Sequence, residues 1–137
     1  MLAVEGDAVA THGVVVCGTA GTPVINSQAP AVQPATADGE IHKLVRALEH
    51  AVAIRTTLDV PLYVLWHYPP FDAHSRPGPC VEFFERTRVT ACVYGHLHSE
   101  SEWSVAVRGT VRGVRYHCVA ADAVGFRPLR IPSILPY

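Results

Sequence analysis

Three histidines stand where they could hold a metal. His67 follows the apolar run LYVLW, and His96 and His98 form GHLH directly after ACVY. Histidine is the commonest metal-ligating side chain, and eight of them in 137 residues is the compositional oddity of this chain. If the segment after Tyr94 stays extended, His96 and His98 point to one side while Leu97 points the other way, into the protein. Gly95 lets the backbone turn where the apolar run ends. Two imidazoles converging at a strand terminus suit a divalent transition metal: Mn, Fe or Zn. Next to His67, the consecutive prolines of Tyr68-Pro69-Pro70 fix φ and remove backbone donors, which supplies the pre-organisation a metal ligand needs. The bland alternative is that His96 and His98 are loop histidines at a strand end and that His67 merely caps a core strand.

The elements that would position them follow from periodicity. Val14 to Cys17 is an unbroken apolar run closed by Gly18 and Gly21, and reads as a strand. Residues 22–39 are rich in Pro, Ala, Ser, Gln and Thr without periodicity, and read as one long surface loop. Ile41, Leu44, Val45, Leu48 and Val52 recur at three- and four-residue steps, which predicts a helix ending near Thr56 and Thr57, with Asp38 as its N-cap. LYVLWH is a short strand buried on both faces. Val81 to Arg88 reads as a helix resting on Phe83 and Phe84, and Val89 to Tyr94 as a second strand. The alternation of helix and strand predicts an α/β fold with a parallel sheet, in which ligands sit beyond the carboxyl ends of strands. Both candidate strands deliver a histidine at that end. Trp103 to Val107, Val111 to Ala120 and Arg127 to Ile131 read as late antiparallel strands at the edge of the sheet.

Composition narrows the class. Residues 1–137 are of single-domain length, and 49% hydrophobic with 17% charged residues describes a chain that folds. A formal net charge of −1 gives no electrostatic footprint for nucleic acid. No apolar run approaches the roughly 18 residues of a membrane span, and the amino terminus has no signal-peptide pattern. Cys17, Cys80, Cys92 and Cys118 form no CxxC pair, and most lie in apolar runs as small buried hydrophobes. Reduced thiols point to a cytoplasmic protein.

LYVLWHYPPFD, a short helix, and TACVYGHLHSE are together similar to the last two motifs of the calcineurin-like metallophosphoesterases. GVRYHCVAADAVGFRPLRI resembles the closing strands of the Icc-like predicted phosphohydrolase branch, and VVVCGTAGTP resembles that branch's strand and Gly-rich turn. The resemblance implies a β-sandwich flanked by helices and the hydrolysis of a phosphoester. It also implies a two-metal centre, in which His67 and His96 ligate one ion and His98 the other. Two such cations polarise the phosphoryl oxygens and activate a water between them.

The family's DxH, GDxxD and GNH motifs are absent. Gly6-Asp7 is the single Gly-Asp pair and no Asn-His occurs. Without a bridging carboxylate nothing offsets the repulsion between two cations, so one metal at most is expected on this chain. Asp72, Glu100, Glu102 and Asp122 are the carboxylates that could substitute, and His74 and Arg76 could meet a phosphate. The expectation is therefore the C-terminal half of a metallophosphoesterase domain, incomplete alone. It would be completed by an upstream segment or a complementary N-terminal half, or would self-associate through the sheet left uncovered. The alternative is a non-catalytic α/β module that binds a metal or a partner.

Overall fold

The computed structural model describes residues 4–23 and 34–132. β1 (Asp7–Thr11) and β2 (Val14–Thr19) form an antiparallel hairpin. Its two-residue turn, His12-Gly13, has φ of 47° and 78°. Left-handed values at both positions match the twist of paired strands, which is why such turns close tight hairpins. β1 was not legible in the sequence, because DAVAT carries two alanines and little β-propensity; pairing with the strongly apolar β2 makes it a strand.

α1 (Pro34–Leu58) begins before Asp38. The expected loop over residues 22–39 is thus corrected from Pro34 onward, and Asp38 lies inside the helix instead of capping it; Thr22 and Pro23 belong to no element, and residues 24–33 lie outside the described residues. The periodic face is as expected: Leu44, Ala47, Leu48 and Ala51 are buried, and each leucine so buried contributes about 1.5–3 kcal/mol. β3 (Leu62–Trp66), α2 (Pro79–Arg86), β4 (Ala91–Tyr94) and the single turn α3 (Glu100–Trp103) follow, then β5 (Gly109–Val111) and β6 (Val114–Cys118).

The six strands of the described residues form one sheet in the order β1-β2-β3-β4-β6-β5. β2, β3, β4 and β6 are mutually parallel, and β1 and β5 run antiparallel at the two edges. The fold is α/β. The late strands need correction: β5 and β6 are an antiparallel hairpin, but β6 joins the sheet parallel to β4. Trp103 ends a helical turn instead of opening a strand, and residues 127–131 form none.

α1 packs on β1 and β2 and touches α2. Both therefore cover the face that carries Val15, Cys17, Leu62, Val64, Trp66, Cys92, Tyr94, Val114, Tyr116 and Cys118, all buried. Phe84 of α2 meets Trp66 edge-on, ring centroids 5.9 Å apart. The other face carries Val16, Tyr63, Leu65, Val93 and His117. It is only partly covered: Leu65 is 42% exposed, and the Tyr63 hydroxyl donates to the Pro132 carbonyl as the described chain ends. All four cysteines are free and buried, and burial pushes the Cys17 and Cys80 thiols up to about 12. Among the described residues no helix is long and apolar enough to cross a membrane.

Candidate metal centre

His67 and His96 emerge from the carboxyl ends of β3 and β4, neighbouring parallel strands. Their backbones are tied together past the last ladder pair. The His67 N–H donates to the Ala20 carbonyl at 3.2 Å, and the His67 carbonyl accepts from the Gly95 N–H at 3.0 Å. Beneath them lies Trp66, and Gly21 closes over its ring: a Cβ at Gly21 would stand 2.5 Å from Trp66 Cε2, at a φ of 77°. Only glycine fits that combination of contact and conformation.

The two imidazoles meet. His67 Nε2 lies 3.1 Å from His96 Nδ1, one ring donating and the other accepting. Two nitrogens bound to one tetrahedral ion through bonds of about 2.0–2.1 Å stand about 3.3 Å apart, so this separation fits a shared metal. The expectation of an extended GHLH fails at His96, whose φ is 72°. The left-handed residue swings the His96 ring toward His67, while Leu97 still turns inward and is buried. The His98 ring centroid lies 5.8 Å from that of His96, on the same loop but outside the hydrogen-bonded pair. Among the described residues no three His, Cys, Asp or Glu side chains are grouped to hold a metal as they stand.

The loop after His67 holds itself in shape. Pro70 and Phe71 are buried, and Phe71 packs edge-on against Tyr116 with centroids 4.9 Å apart. The Asp72 carboxylate accepts from the His74 N–H, the Arg76 N–H and Arg76 Nε at 2.7–2.9 Å. These bonds, the Arg76 backbone bond foremost, hold its pKa below the usual carboxylate value. Asp72 and Arg76 are therefore spent on the loop. Glu100 is exposed at the start of α3, and His74 is exposed on the loop.

One residue of the site was missed in the sequence, and a second was read for another role. Tyr68 lies against both imidazoles, its ring centroid 4.9 Å from His67 and 4.5 Å from His96. Glu102, weighed only as a spare carboxylate, closes a capping box with Ser99: its Oε2 accepts from Ser99 Oγ at 2.7 Å, Ser99 N at 3.1 Å and His98 N at 3.3 Å. The spacing Ser99-Glu-Ser-Glu102 is a readable helix-start signal, obscured by the β-rich residues that come after Trp103. Partial desolvation, with His67 and His98 close by, lowers the His96 pKa below its ordinary value against a smaller opposing effect of Glu102. The shift favours the neutral form of His96, the form that ligates a metal.

Beside His96 lies a groove of about 270 Å³ walled by Tyr68, Phe71, Leu97 and Val105, with Asp72 and Glu102 at its polar margin. It is just below the usual range for small-molecule sites. Compared with protein-family models, curated proteins and solved structures, the chain matches none.

Proposed function

We propose that this chain supplies the histidine part of a metallophosphoesterase-type centre, with one divalent transition metal, Mn, Fe or Zn, held by His67 and His96 and approached by His98. The single observation that supports the reading most is the 3.1 Å approach of His67 Nε2 to His96 Nδ1 at the carboxyl ends of adjacent parallel strands. When bound, such a metal acts as a Lewis acid toward a phosphoryl oxygen and lowers the pKa of a coordinated water. The chain's own part is to hold two imidazoles in register, to brace them with Tyr68 and the Pro-rich loop, and to offer an apolar groove beside them.

Phosphoester hydrolysis then requires carboxylates that these side chains do not provide. Asp72 and Glu102 are both engaged in hydrogen bonds of their own loops, so the remaining ligands belong to a complementary segment or partner. The same observation favours a second reading, in which the chain is a metal-binding α/β module without hydrolytic activity.

Titration calorimetry with Zn²⁺ tests the shared part. One ion per chain is expected, with binding lost when His67 and His96 are both replaced by Ala. Absence of binding, or binding that survives the double replacement, sinks the metal assignment. A Mn²⁺-supplemented phosphatase assay separates the two readings. Turnover by this chain alone that disappears in His96→Ala would overturn the requirement for outside carboxylates, and turnover only on adding the complementary segment would rule out the module.

A further inference from the structure

At the end of the sheet away from the histidines, the starts of β4 and β6 border a hollow of about 460 Å³ lined by Arg88, Thr90, Thr110, Arg112 and Arg115. Its size falls in the range of small-ligand sites. Three arginines lining one depression are a local excess, given a formal net charge of −1 for the whole chain. Glu85 reaches one of them, Oε2 lying 3.7 Å from Arg112 Nη1. Among the described residues no carboxylate lies within ion-pair distance of Arg88 or Arg115.

The backbone is a second, independent observation. Arg88 is the residue just past the C-cap of α2, with φ of 53°. Its N–H donates to the Glu85 carbonyl at 3.1 Å and the Val89 N–H to the Phe84 carbonyl at 2.9 Å, the paired bonds of a Schellman ending that glycine usually occupies. Arg112 opens the two-residue β5–β6 turn with φ of 46°, where Asn, Asp or Gly is the favoured residue. Local stability disfavours arginine at both places, yet both border the same hollow. Arg55 braces this corner, donating to the Thr87 and Arg88 carbonyls at 2.6 and 2.8 Å. The Thr90 hydroxyl accepts from the Leu62 N–H at 3.0 Å, which leaves its own O–H to donate.

We propose that this hollow binds a small phosphate-bearing anion, at a site separate from the histidine pair. Guanidinium groups present planar donor forks that match phosphate oxygens, and Thr90, with its O–H free to donate, lines the same hollow.

Calorimetric titration of the whole chain at low ionic strength, with pyrophosphate as the probe and citrate as the comparison, tests this. Saturable pyrophosphate binding is expected, weakened by added salt. Arg88→Gly and Arg112→Gly should each weaken it about tenfold, the loss of one charge-assisted hydrogen bond, and Arg115→Gln likewise. The glycine variants should melt at or above the wild-type temperature, since glycine relieves the left-handed conformation; loss of binding then cannot be loss of fold. Should either glycine variant melt lower, Arg88→Asn and Arg112→Asn, which also tolerate this conformation, carry the same expectation. Failure of pyrophosphate to saturate, citrate binding as tightly, or variants binding like the wild type would each overturn the proposal.

Discussion

Replacing Glu102 by Ala removes the acceptor that ties the GHLH turn to α3. One carboxylate oxygen takes the Ser99 hydroxyl at 2.7 Å, the Ser99 N–H at 3.1 Å and the His98 N–H at 3.3 Å. The group is exposed, so water replaces the lost partners, and the cost belongs to the range measured for caps, about 0.5–2 kcal/mol and typically about 1. Two residues before His98, His96 holds a left-handed φ of 72°, a conformation a non-glycine residue keeps only when its surroundings enforce it. If about 1 kcal/mol of that enforcement is lost, the fraction of chains with His96 set against His67 falls, and metal affinity drops about fivefold. Glu102→Gln retains an acceptor oxygen and should recover most of both effects. Urea unfolding followed by Trp fluorescence reads the first, and visible absorption of bound Co²⁺ reads the second. The reasoning is refuted if Glu102→Ala leaves Co²⁺ affinity unchanged, or if Gln proves as damaging as Ala, which would make the charge itself the active element. The Ser99 hydroxyl is the foremost cause of a Glu102 pKa below its ordinary 4.5. The clamp's contribution is therefore complete above that value and fades as pH falls through and below it.

Three further outcomes are expected. Gly21→Ala should cost about 2–5 kcal/mol, summing left-handed strain and overpacking against Trp66, seen as an earlier urea midpoint; a wild-type midpoint would refute the close contact. Phe84→Ala should cost about 3–5 kcal/mol, because Phe84 is fully buried against Trp66; thermal melting checks it. His96 and His117 both have pKa values lowered chiefly by desolvation, so the unfolded chain takes up protons first. Stability should be complete above the ordinary value of 6.5 and decline as pH falls through it. His117→Leu should flatten part of that decline in urea titrations at several pH values, since His117 Nε2 is buried and has no partner among the described residues.

Local pattern sufficed for much of this molecule. The apolar runs LYVLW and ACVY became neighbouring parallel strands, and the three- and four-residue spacing of Leu44 and Leu48 became the buried face of α1, because burial acts on periodicity that is already written in the residue order. The placement of His67 and His96 at strand ends was legible for the same reason. Other features depended on partners distant in sequence. β1 exists through pairing with β2, and β6 is parallel because it meets β4, not because of anything in VRYHC itself. The contact between His67 and His96 joins residues 29 apart in sequence. It needs the His67 backbone bonded to both flanking segments and a left-handed turn at His96 that residue type alone would not suggest. Arg88 and Arg112 likewise come to border one hollow only through the pairing of β4 with β6. Sequence determined which side chains could do chemistry; tertiary structure decided which of them stand within reach of one another, since distance across a sheet is set by strand order and register, which no local run encodes.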